Sequence, residues 1–146
     1  MPLAGETIIA GKVPGERIAT QVRTSDSAGV TTTETAVDTV VAPVVAGRIY
    51  RIRYSMRVNS NAANDDPRVT IREDNATGTQ LMLVNLDIPI LFRAPQTVLE
   101  VEYTADATED KTFVGTIDRI GGTGTLIAVA SAVSPTYLCV DYIRDS

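Results

Sequence analysis

Few of the side chains in this sequence could do chemistry. The 146 residues include no histidine and one cysteine, Cys139. Histidine is the commonest general base and metal ligand, so its absence removes most acid–base and metal chemistry. A single thiol without a Cys or His partner supports neither a Cys/His zinc site nor thiolate catalysis. In the apolar run TYLCVDYIR, Cys139 reads as a small buried hydrophobe. No GxGxxG, GxxxxGK(S/T) or GxSxG stretch occurs, so there is no phosphate cradle or nucleophile elbow. Carboxylates remain. The adjacent pairs Asp65–Asp66, Glu73–Asp74 and Glu109–Asp110 lack the DxDxDG spacing of a calcium loop and read as solvated turn charge. Glu100 and Glu102 share one strand face and would form a glycosidase pair only inside a cleft. They also suit cross-strand pairing with arginine. No catalytic residue, metal or cofactor is expected, and the chain reads as a non-enzyme.

The remaining functional groups are arginines. In residues 47–59, GRIYRIRYSMRVN, the apolar Tyr50, Ile52, Tyr54, Met56 and Val58 alternate with Arg51, Arg53, Ser55, Arg57 and Asn59. Side chains on a strand change face at every residue, so this is a long strand with one buried face and an arginine-rich outer one. Residues 68–73 repeat the pattern, with Val69 and Ile71 inward and Arg68, Thr70 and Arg72 outward. Such rows either keep an exposed sheet face soluble or form a subunit or partner interface, since guanidinium groups pair bidentately with carboxylates. Arg51, Arg53, Arg57, Arg68 and Arg72 are therefore the candidate interface residues.

The surrounding elements are all-β. Val, Ile and Thr make up 48 of the 146 residues, and their β-branched side chains favour strands. The alternation predicts strands over residues 17–24, 31–41 (ending before Pro43), 47–59, 68–73, 79–87, 97–105, 111–120, 126–133 (buried on both faces) and 136–144. Turn-forming clusters separate them, and residues 59–67 read as a polar surface loop. Pro89 and Pro95 bracket an irregular link. Eight to ten short strands at this spacing predict a sandwich or barrel. Residues 1–16, broken by Pro and Gly, read as an extended N-terminal arm, with a brief strand at 6–10. Leu3, Ile8 and Ile9 on that arm are candidate docking residues. Residues 17–146 form the sandwich domain.

Composition restricts the partners. A formal net charge of −5 argues against phosphate-neutralising nucleic-acid binding. Yet six of the 13 basic residues fall between Arg48 and Arg72, an asymmetry suited to packing against other protein surfaces. No run approaches the 18 apolar residues of a membrane span. MPLAGETII lacks a signal peptide's basic region and longer apolar core. The chain is expected to be made in the cytoplasm, soluble, without intrachain disulfides.

Three segments resemble a known group. LAGETIIAGKVPG (residues 3–15) is similar to the AGxTI segment that opens many tailed-phage virion proteins. SPTYLCVDYIRD (134–145) resembles the strand that closes small phage head-decoration and minor tail domains. RIYRIRYSMRVNS followed by VTIRE is similar to paired strands of the same group. The resemblance implies a jelly-roll-like β-sandwich, assembled as a homotrimer on the capsid surface and bound to the phage major capsid protein. The other role in that group is a minor tail or fibre-tip domain that binds a host glycan or protein, which would call for Tyr50, Tyr103, Tyr137 or Tyr142 clustered at a loop end.

Overall fold

A computed structural model describes residues 13–90 and 96–146 of the chain. The described residues form nine strands and no helix: β1 (Arg17–Arg23), β2 (Thr35–Val44), β3 (Arg48–Ser60), β4 (Asp66–Glu73), β5 (Gln80–Asn85), β6 (Gln96–Thr104), β7 (Glu109–Gly121), β8 (Leu126–Val129) and β9 (Thr136–Asp145). They make two antiparallel sheets, one ordered β1-β9-β3-β6 with β8 beside the end of β3, the other β2-β7-β4-β5. Apart from the β4–β5 hairpin, neighbours in each sheet come from distant parts of the chain, which is the wrapped order of a jelly roll. The fold is an all-β jelly-roll sandwich.

The alternation in β3 acts as expected. Tyr50, Ile52, Tyr54, Met56 and Val58 are all buried. They face Val69 and Ile71 of β4, Phe113 and Ile117 of β7, and Val40, Ala42 and Val44 of β2, all within one core. Full burial of each such aliphatic side chain is worth about 1.5–3 kcal/mol, so this inner layer dominates stability. Tyr54 crosses the core to Gly115 of β7, where any Cβ would press into its ring. The Tyr54 hydroxyl donates a 2.7 Å hydrogen bond to Asp38 of β2. Asp38 also accepts from Arg23 Nε of β1 at 2.9 Å, and the same guanidinium donates through Nη1 to the Ser25 and Ala128 carbonyls at 2.6 and 2.9 Å. A buried ionic strut thus ties the two sheets together, and each of its polar groups is bonded, as burial demands.

Four details differ from the sequence reading. β2 begins at Thr35 rather than residue 31 and runs through Pro43, which pairs with Asp110. Proline is tolerated because β2 lies at a sheet edge, where one side of the strand needs no ladder donor. A bulge lies between Ala36 and Asp38, and beyond it Asp38, Val40, Ala42 and Val44 turn inward. β8 stops at Val129, and Val133, expected in a buried strand, sits almost fully exposed at the tip of a tight turn closed by Ser131 and Ser134. Asp65, read as solvated turn charge, is fully buried.

Candidate interaction surfaces

The two arginine rows do not lie on one surface. Arg51, Arg53 and Arg57 project from the outer face of the β1-β9-β3-β6 sheet. Arg68 and Arg72 project from the outer face of the other sheet. The two faces point in opposite directions, with the core between them. Leu3, Ile8 and Ile9, the brief strand at 6–10 and most of the N-terminal arm lie outside the described residues, as does the end of the Pro89–Pro95 link.

On the first face the register sets Arg51 opposite Glu102 and Arg53 opposite Glu100. The realised pairs are partly diagonal. Arg51 Nε and Arg53 Nε reach the two oxygens of Glu100 at 3.2 and 2.9 Å. Glu102 is taken by Arg144 through a two-pronged contact at 3.1 and 3.0 Å. The Arg144 hydrogen bond holds the Glu102 carboxyl below its ordinary pKa. Arg17 of β1 donates to Asp141 of β9 at 2.9 Å. Glu100 and Glu102 are therefore arginine partners in a solvent-facing ladder. Arg57 differs from the rest: its Nε is buried without an acceptor, and it makes no ion pair with any described residue.

The second face is a roofed polar cluster. Arg68 binds Asp118 of β7 with both prongs, at 2.9 and 2.7 Å. Arg72 binds Glu34, just before β2, at 2.6 and 2.8 Å, and donates to the Gly78 carbonyl at 2.9 Å. Thr116 adds a 2.5 Å bond to Glu34. Beneath this roof Thr70 and Thr116 are fully buried although they point away from the core. The hydrogen bond from Arg72, with support from Thr116, outweighs burial and holds the Glu34 carboxyl below the usual glutamate range. Each guanidinium here already has its carboxylate.

Asp65 closes the β3–β4 connection from inside. It accepts from the Ser60 hydroxyl, from Thr123 N at 2.8 Å and from Gly124 N at 3.1 Å. Burial alone would raise its pKa, but those donors, with Arg119 nearby, prevail and hold it below the ordinary aspartate value. A carboxylate so enclosed fixes a turn. Glu73, Asp74 and Glu109 gather around Lys111 Nζ at 3.2, 3.2 and 3.9 Å. Cys139 is buried beside Thr20.

Sequence reasoning missed Asp38, Asp118, Glu34 and Arg23, which carry the two buried networks. A signal existed for two of them. Asp38 in TAVDTVV and Asp118 in VGTIDRI interrupt β-branched runs, and an acidic group inside such a run needs a partner. Of the four tyrosines proposed for a sugar platform, Tyr50 and Tyr142 are buried and Tyr103 packs edge-on against Phe113. Tyr137 alone of the four is exposed.

No protein-family model matches this chain, and no curated protein matches it. Solved structures do. The structure of Eiger TNF from S. frugiperda superimposes with a TM-score of 0.61 at 9% identity, covering 92% of this chain and 96% of that one. The VP2 subviral particle of infectious bursal disease virus gives 0.47 at 12% identity, over 89% of this chain and 38% of that one. The CBM22-1 xylan-binding domain from Paenibacillus barcinonensis Xyn10C gives 0.42 at 8% identity, over 91% and 98%. At these identities the likeness is one of fold.

Proposed function

We propose that this chain is a non-catalytic virion protein: a phage capsid decoration protein that binds the assembled major capsid lattice as a homotrimer. The observation that carries this reading is where the two terminal motifs meet. The segment ending at Gly15 and the closing strand, at opposite ends of the sequence, each resemble segments of phage virion proteins. The described end of the first segment lies beside the closing strand: Gly15 N donates to the Tyr142 carbonyl at 2.6 Å, the Tyr142 N–H donates to the Glu16 carbonyl, and β1 then pairs along β9. Residues 13–16 lead into the edge strand β1, so a docking arm formed by the residues before them would start from a sheet edge. The internally neutralised ion ladders support a surface role, because they leave charge for orientation rather than for catalysis. Retention on a lattice would come from many weak symmetric contacts acting together.

The minor tail or fibre-tip reading has less support. Tyr50, Tyr103 and Tyr142 are spent on packing, so no aromatic platform forms at a loop end among the described residues.

The deciding experiment is quantitative mass spectrometry of purified particles, combined with labelling for electron microscopy. Label spread over the head, in numbers that scale with the capsid lattice, is the expected result. Label confined to the tail, or absent from particles, rejects the proposal. Deleting residues 1–15 should abolish capsid binding while leaving a folded domain; full binding by the truncated chain rejects the arm's role.

A further inference from the structure

Outward-facing residues in one row of the first sheet carry three of its exposed apolar groups. Val22 of β1 lies opposite Tyr137 of β9, Tyr137 opposite Ser55 of β3, and Ser55 opposite Val98 of β6. Their exposures are 45% for Val22, 41% for Tyr137 and 59% for Val98, far above the buried core positions on the same strands. With strands about 4.8 Å apart, the row extends roughly 14 Å across the sheet. Ser55 is tied down by a 2.9 Å bond from Gln96. The next outward residue on β3 is Arg57, flanked by Gln96 on one side and Val129 of β8 on the other.

Arg57 is the anomaly of this face. Arg17, Arg51, Arg53 and Arg144 each meet a carboxylate of the same sheet. Arg57 meets none among the described residues, and its Nε is shielded from solvent with no acceptor. Unpartnered donors of this kind are rare in natural structures, and the guanidinium has no counter-charge among the described residues. Arginine and tyrosine are also enriched at interface hot spots.

We infer that the Val22–Tyr137–Val98 row with Arg57 is a docking surface, and that its occupant is a segment of the partner protein presenting one carboxylate between aliphatic side chains. The carboxylate supplies the counter-charge that the Arg57 guanidinium lacks among the described residues, and the aliphatic flanks cover the row. The other arginines of this face, already neutralised within the chain, orient the partner and contribute little to affinity. This rests on the binding role proposed above and narrows it to one patch and one chemistry.

Two experiments test the inference separately from that role. In the first, a random heptapeptide display library is panned on the intact immobilised chain and on its Arg57→Gln and Val98→Asp variants. The expected result is enrichment of peptides with Asp or Glu between Leu, Ile or Val, falling at least tenfold on both variants. No such enrichment on the parent, or equal enrichment on the variants, overturns the inference whether or not the chain binds particles. In the second, the same proteins are sedimented with purified particles. Undiminished binding of both variants beside a binding parent also overturns the patch, while leaving the decoration role intact; loss of binding supports it. A failure of the parent itself to sediment counts against the decoration role alone, and the panning still decides the patch. Val98 is exposed, so Val98→Asp keeps the test valid should Arg57→Gln fold poorly. Thermal midpoints of Arg57→Met and Arg57→Gln should equal or exceed the parent's, since an unsatisfied group is removed; a marked drop would assign Arg57 a packing role instead.

Discussion

Arg23, Asp38 and Tyr54 are three polar side chains in a sandwich whose inner layer is otherwise almost wholly apolar, and each depends on the others. Removing one partner of a buried ion pair leaves an uncompensated charge, at a cost of about 3–5 kcal/mol. Arg23→Met should therefore lower the unfolding free energy by that order, read from the urea midpoint, even though methionine fills much of the same volume. Burial, followed by the Asp38 charge and the bond to it, raises the Tyr54 pKa well above its ordinary value, so the hydroxyl remains a donor throughout the neutral range. Gly115 is the second sensitive residue. Its missing Cβ is the space that the Tyr54 ring occupies, so Gly115→Ala should cost about 1–3 kcal/mol by overpacking. A cost near zero in urea melts would mean that the ring can shift freely.

At the scale of elements, strands are tied to their connections by charge, and those ties respond to pH. Glu34 roofs β4 and β7, and Asp65 anchors the β3–β4 connection to the turn after β7. Both have folded pKa values below their unfolded ones. Their contribution is complete above the unfolded values, about 4.3 and 3.9, and is lost as pH falls through the depressed ones. Unfolding free energy should therefore drop below about pH 4, and Glu34→Gln should flatten part of that drop. An unchanged acid slope in that variant would remove Glu34 from the account. Lys111 acts at the other end of the scale. Burial works against its charge, but bonds to Glu73 and Asp74 prevail and its pKa is pushed up to about 12. Its contribution is present below the unfolded value of about 10.4 and fades as pH rises through the folded one. Chemical denaturation from pH 9 to 12 should show a shallower loss in Lys111→Met than in the parent.

Over the whole molecule, the two outer faces use similar charges to different effect. On the β1-β9-β3-β6 face the Glu100 pairs are solvent-exposed, and such pairs contribute about 0–1 kcal/mol. On the opposite face Asp118 is buried under Arg68. Glu100→Gln should change stability by no more than about 1 kcal/mol, and by less in high salt, whereas Asp118→Asn should cost more and depend little on salt. Equal effects and equal salt dependence would erase this distinction between a working surface and a sealed one. The sheet edges are guarded as well. β1, β2 and β5 each carry a register break, β2 adds Pro43, and β6 carries Glu100 and Glu102, devices that discourage edge-to-edge aggregation.

Residues 47–59 could be read without a structure, because a period of two is a local property and one buried face enforces it along the whole of β3. The same logic placed the strand cores of β4, β6, β7 and β9 and marked the chain as a sandwich. It failed where a residue's setting depends on a neighbour across the sheet. Pro43 looked like a stop because nothing local says that β2 is an edge. Asp65 looked solvated because its donors at Thr123 and Gly124 come from a turn more than fifty residues away. The arginines were visible as rows, but their division between opposite faces, and the absence among the described residues of a carboxylate for Arg57 alone in its row, were decided by pairing between distant strands. Alternation in a sequence determines which way a side chain points; only the wrapped order of the two sheets determines what it meets there.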